Sequence, residues 1–158
     1  MGRLHGQRAL VTGVSSGIGA ATAQLLAREG ADVALLARRE SGLPRVAARV
    51  QEEGRQAVVV QADVADRPAL ETAVQSAARA LGGLDLVVVA AAAGAFGRFD
   101  EIRAEDFDRC VRVSLGGAVD TIRFALPELE HTGGRLGSTV LLTFAERHAR
   151  PLVERAFA

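Results

Sequence analysis

Residues 8–26 read RALVTGVSSGIGAATAQLL, and within them Gly13, Gly17 and Gly19 form a TGxxxGxG pattern. Residues 9–12 have the apolar character of a short buried strand, and residues 20–26 run as a helix with no breaker inside. A strand that turns on glycine into a helix leaves the first backbone N–H groups of that helix without partners. Together with the helix dipole they cradle a phosphate. Gly13 allows the tight turn, Gly17 lets backbone approach a pyrophosphate, and Gly19 lets the helix pack close to the sheet. Ser15 and Ser16 add hydroxyls within reach of the phosphates, and Ile18 stands between the last two glycines. The pattern follows a first strand and opens a helix, which is the context of a dinucleotide site rather than of an ordinary glycine-rich turn.

Two more groups of residues fit that chemistry. Ala37, Arg38 and Arg39 close a second apolar run. In dinucleotide folds an acid at this place holds the ribose 2′-hydroxyl, whereas an Arg accommodates a 2′-phosphate. Ala37 removes the acid and Arg38 supplies the cation, so the predicted cofactor is NADP(H), with NAD(H) less favoured. Asp63 and Val64 close a third run, with the carboxylate placed to accept from an adenine amino group and Val64 to pack beside the ring. The same residues also suit plainer roles, Arg38 and Arg39 as solvated charges and Asp63 as a loop residue ahead of a helix cap at Asp66.

Composition removes other chemistries. The 19 acidic residues balance the 19 basic ones, and no basic stripe points to nucleic acid. No apolar run reaches membrane-span length, and the N-terminus lacks the apolar region of a signal peptide. Cys110 is alone, which fits a reducing cytoplasm, and His5, His131 and His148 have no metal-ligand spacing. The chain contains no Lys, Asn, Tyr or Trp, and every basic residue is Arg.

The elements that must position these residues alternate. The second strand is expected at 32–37, then a helix at 41–53 with Ser41 as N-cap and Pro44 in its first turn. A third strand follows at 56–61 and a helix at 66–81 capped by Asp66. The fourth strand, 84–89, runs into the alanine tract 90–93 and Gly94. A long helix spans 104–129, loosened by Gly116 and Gly117, and Gly133 and Gly134 make a turn. STVLLTF, 138–144, reads as the fifth strand, and the tail 145–158 carries no clear pattern. The length suits one domain over 1–158. The alternation predicts a Rossmann-like, doubly wound parallel sheet of order 3-2-1-4-5 in a three-layer α/β/α arrangement. Its ligand edge, at the carboxyl ends of the strands, is formed by Gly13, Ala37, Asp63 and Gly94.

In this order, Thr12 to Gly19, Ala37-Arg38-Arg39, Asp63-Val64 and Ala93-Gly94 resemble the classical short-chain dehydrogenase/reductase family. The stretch FDRCVRVSLGGAVDTIRFALPEL, 107–129, is similar to the family's long fourth helix. The resemblance extends to about Leu142 and implies a C-terminally truncated member of a family of NAD(P)-dependent oxidoreductases, which move a hydride between nicotinamide and a carbonyl or alcohol. It also implies cofactor contacts at Ala92, Ala93 and Gly94, where the family's Asn-Asn-Ala-Gly reads Ala91-Ala92-Ala93-Gly94. The family's catalytic set is an Asn, a Ser, a Tyr and a Lys. The helix match puts Ser114 at the Asn. Taking VLLTF as the fifth strand puts Phe144 at the Ser and Phe157 at the Tyr, and the Lys falls beyond Ala158. No catalytic residue is therefore assigned. The expectation is a dinucleotide-binding domain with impaired turnover. The rivals are a working reductase using Ser114 or His148, a non-catalytic subunit paired with a complete family member, and a truncated gene product. An unpaired fifth-strand edge at TVLLT, 139–143, predicts homo-oligomers.

Overall fold

Four short apolar runs and the segment RLGS become the strands of one parallel sheet. The computed structural model describes residues 2–133 and 135–138. The strands are β1 (Arg8–Thr12), β2 (Asp32–Ala37), β3 (Ala57–Gln61), β4 (Leu86–Val89) and β5 (Arg135–Ser138), in the order β3-β2-β1-β4-β5. The helices between them are α1 (Gly17–Arg28), α2 (Leu43–Glu52), α3 (Arg67–Leu81), α4 (Ala104–Val111) and α5 (Gly117–Thr132). Side chains alternate across the sheet, as the pleat requires. Leu10, Ala34, Leu36, Val87 and Val89 pack under α3 and α5. Ala9, Val11, Val33, Leu35 and Ala37 pack under α1 and α2. Burial on both faces explains why these strands read as continuous apolar runs, and each fully buried Leu or Val contributes about 1.5–3 kcal/mol. The sheet reverses direction at β1, which pairs with β2 on one side and β4 on the other. That is the switch point where ligands bind in such sheets.

Three expectations about the elements need correction. Ser41 does not cap α2. The cap position is Gly42, in the left-handed region at φ 96°. A side chain there would drive Cβ to 2.5 Å from the Ser15 carbonyl oxygen, so the turn into α2 is pressed against the glycine loop. The long fourth helix is not merely loosened. It passes through a π-helical turn, Arg112–Gly116, between α4 and α5. A Cβ on Gly117 would lie 2.7 Å from Val64 Cγ2, so this glycine lets α5 approach the end of β3. The fifth strand starts three residues earlier than expected, with Arg135 beside Leu86 and Ser138 beside Val89. Gly133, left-handed at φ 67°, ends α5 and sends the chain back into the sheet at once. Most of the expected strand, including TVLLT, lies outside the described residues. So do Phe144, His148 and Phe157, so their match to catalytic positions lies outside the described residues as well. Asp66 caps α3 as expected, its carboxylate accepting the Ala69 N–H at 3.2 Å.

The edge opposite the ligand side is tied by an ion pair. Arg8, opening β1, donates to both carboxylate oxygens of Asp85, at 2.7 Å from Nε and 2.9 Å from Nη2. Its own N–H adds a third bond at 2.9 Å. Arg8 Nη1 also donates to the Gly82 carbonyl. No helix among the described residues is long and apolar enough to cross a membrane.

Candidate functional site

The carboxyl ends of β1, β2, β3 and β4 surround an open cleft of about 450 Å³. Gly13, Ser15, Ser16, Arg38, Asp63, Val64, Ala92, Ala93 and Gly94 line it together. Gly17, Ile18 and Gly19 do not. They form the first turn of α1, and Ile18 is about half exposed. The three glycines divide the work physically. Gly13, at φ 75°, touches the β4 loop, where a Cβ would meet the Ala91 nitrogen at 2.6 Å. A Cβ on Gly19 would meet the Gly13 carbonyl oxygen at 2.4 Å. Gly17, at φ 60°, has open space on that side. Ser16 is the N-cap of α1 but makes no side-chain capping bond, and the first turn carries no acidic residue. The helix start therefore presents donors and positive potential to the cleft with no protein carboxylate of its own to neutralise them.

Arg38 reaches across the end of the sheet to Asp63, with Nη1 to Oδ2 at 3.5 Å, and both side chains stay partly exposed. The other carboxylate oxygen of Asp63 accepts the Ala65 N–H at 3.0 Å, which fixes the turn after β3. Val64 is buried against α5 and shares its core cluster with Val113, which also lines the cleft. Among the described residues no group of three or more His, Cys, Asp or Glu is arranged to hold a metal. The adenosine and pyrophosphate half of a dinucleotide fits what is present: an uncapped helix start, a glycine with free space over it, two cleft hydroxyls, an apolar wall and a cation at the end of β2.

A profile of the short chain dehydrogenase family matches residues 7–142. The chain belongs to this family. Versicolorin reductase 1 of Aspergillus parasiticus is 36% identical over 135 residues, covering 85% of this chain and 51% of that protein. A short chain dehydrogenase from Burkholderia cenocepacia, solved in complex with NADP, is 38% identical with a TM-score of 0.76, over 86% of this chain and 56% of that one. Carveol dehydrogenase from Mycobacterium avium, solved with NAD, is 30% identical with a TM-score of 0.81, over 87% of this chain and 55% of that one. The chain thus spans about half the length of these relatives.

Membership directs attention to Ser114, which the helix match puts at the family's Asn. Ser114 is buried in the π-helical turn. Its hydroxyl accepts the Ala93 N–H at 3.2 Å and donates to the Ala93 carbonyl at 3.3 Å. The hydroxyl accepts from and donates to one residue of the cleft wall, so it ties α4 and α5 to the β4 loop and has no proton to offer a ligand. Thr12 does similar work from β1. Fully buried, it accepts the N–H groups of Ala90 and Ala91 at 3.2 and 3.1 Å. Sequence reading missed Thr12, Val113, Arg39 as a cleft residue, and Arg109. Thr12 follows from the sequence: it closes the apolar stretch 9–11, and a hydroxyl buried there must find a partner. Val113 and Arg109 carry no such signal, because only the docking of α4 brings them to the cleft.

Proposed function

We propose that this chain is an NADP(H)-binding Rossmann domain that holds the dinucleotide but lacks the proton-transfer groups of its family. The observation that carries the reading is that Ser16, the N-cap of α1 with no capping bond of its own, lines with Ser15 the same cleft as Arg38. In this reading the pyrophosphate sits on the α1 N-terminus and the adenine lies between the Asp63–Val64 corner and Val113. The 2′-phosphate takes Arg38 from Asp63, freeing a carboxylate oxygen for the adenine amino group. A nicotinamide cofactor supplies hydride chemistry when bound. A relative solved with NADP supports the cofactor class, and another solved with NAD shows that the family's dinucleotide sites differ in this choice.

The specificity has a direct test. A charge-assisted hydrogen bond from Arg38 to the 2′-phosphate contributes roughly 1.5–3 kcal/mol. Arg38→Ala is therefore expected to weaken NADPH about 10- to 150-fold and to leave NADH nearly unchanged, measured by calorimetric titration. Equal affinities for the two cofactors in the unaltered chain would overturn the NADP preference.

A partner role is favoured by one further observation. Val111, Leu115, Val119 and Leu126 follow helical spacing through α4, the π-helical turn and α5, and each leaves more than a third of its surface exposed. Pairing of this face with a second family chain, or a second copy, would cover it. Leu115→Arg is expected to lower the mass seen by light scattering, and a monomer at all concentrations before substitution would remove the partner reading.

A further inference from the structure

We infer that Arg109 is a positioning residue for the dinucleotide, its guanidinium closing over the adenine ring; this rests on the dinucleotide reading proposed above. Arg109 belongs to α4, far in sequence from Arg38 and Arg39, yet it lines the same cleft. Its natural helical partners are taken. Glu105 and Asp106, four and three residues earlier, both face Arg103. Arg103 holds Asp106 with a two-pronged bond at 2.8 and 3.0 Å and lies 3.5 Å from Glu105. Among the described residues no carboxylate pairs with Arg109. The sequence thus places a cation at the cleft and spends the nearby acids elsewhere.

Position decides what that cation meets. Val113 lies four residues further on, in the π-helical turn that continues α4, and lines the same cleft. It is buried with Val64, and the two valines form the apolar wall against which a purine lies flat. The Arg109 guanidinium then covers the exposed face or edge of that purine. Its planar, weakly hydrated group stacks on aromatic faces in a way that an ammonium does not. The 2′-phosphate belongs at the end of β2 beside Arg38, so Arg109 acts on the base, the part that NADPH and NADH share. At an exposed site such a contact is worth about a two- to five-fold gain in affinity.

The experiment titrates NADPH and NADH against the unaltered chain, Arg109→Leu and Arg109→Gln, with thermal melts alongside. Arg109 is exposed, so the melting temperature is expected to stay the same. Both variants are expected to weaken NADPH and NADH alike, about two- to five-fold, leaving their ratio where it was. This pattern is the opposite of that expected for Arg38→Ala. Unchanged affinity for both cofactors would overturn the inference, as would a loss confined to NADPH, which would mark a phosphate contact instead. If the unaltered chain binds neither cofactor, the dinucleotide reading itself falls and the role of Arg109 falls with it.

Discussion

The 158-residue chain, given NADPH and a broad panel of ketones, aldehydes and quinones, is expected to turn over none of them at a family-like rate. The reason is chemical. A carbonyl that receives a hydride must also receive a proton, and general acid catalysis of that transfer typically supplies about 10²–10⁴-fold. In the family a Tyr hydroxyl makes the transfer, helped by a Lys. Neither residue type occurs anywhere in this sequence, nor does the Asn of the set. The residue matched to that Asn, Ser114, is locked to both polar atoms of Ala93. Arg cannot substitute as an acid near neutral pH, because it does not give up its proton in proteins. Imperfect orientation of the nicotinamide would forfeit a further part of the rate. Dinucleotide binding without consumption is the expected pair of results, read by titration and by NADPH absorbance on the same preparation. Robust turnover that survives stringent purification and disappears in His148→Ala would defeat this expectation.

The parts of the fold that could be read in advance are those in which one residue type answers one local demand. The glycines at 13, 17 and 19 announce a strand-to-helix turn because little else tolerates φ near 60–75° or backbone contacts of 2.4–2.6 Å. Asp66 before Arg67-Pro68 announces a helix start, and it caps one. Continuous apolar runs announce strands covered on both faces. Features set by tertiary contact were not legible. Gly42 displaces Ser41 as the cap because α2 abuts the Ser15 carbonyl, a contact 27 residues away in sequence. Gly117 reads as a weak point in a helix, when its lack of a side chain is what admits Val64. RLGS makes a poor strand by propensity, with glycine in the middle, yet pairs with β4 because Gly133 turns the chain there. STVLLTF looks like the better strand by every local measure. The cleft follows the same division: its glycine loop is written in sequence, while Arg109 and Val113 reach it only through helix docking.

Arg8→Ala is expected to destabilise the fold by about 3 kcal/mol, out of a total stability of roughly 5–15 kcal/mol for a domain. The argument starts from Asp85, which keeps only 10% of its side-chain surface in water at the edge of the sheet remote from the cleft. Arg8 satisfies it with three N–H bonds, and the Asp85 N–H in turn donates to the Arg8 carbonyl at 2.8 Å. Removing the guanidinium leaves a buried carboxylate with only the Arg8 backbone N–H and the Thr132 hydroxyl as donors. Breaking such a pair costs about 3–5 kcal/mol, and the lower end applies because Arg8 keeps a quarter of its side chain exposed. For a chain of this size that is a fall in Tm of roughly 6–12 °C. Replacing both partners by apolar residues, as in Arg8→Met with Asp85→Leu, is expected to cost far less than either single truncation, because no charge is then stranded. The same pair sets the acid limit. Hydrogen bonds from the Arg8 guanidinium hold the Asp85 carboxyl below the usual carboxylate range, against the opposing effect of burial. A depressed carboxyl stabilises the fold at pH above its unfolded value, near 4, and that contribution disappears as pH falls through the lower folded value. Arg8, held above its ordinary value by the same bonds, titrates far above any working pH and adds no slope there. Urea unfolding followed by circular dichroism from pH 7 to 2.5 should therefore show a steep acid loss in the unaltered chain and a shallower one in Asp85→Asn. Identical acid profiles, or an Arg8→Ala variant within about 0.5 kcal/mol of the original at pH 7, the range of an ordinary surface substitution, would show that the pair does not hold this edge together.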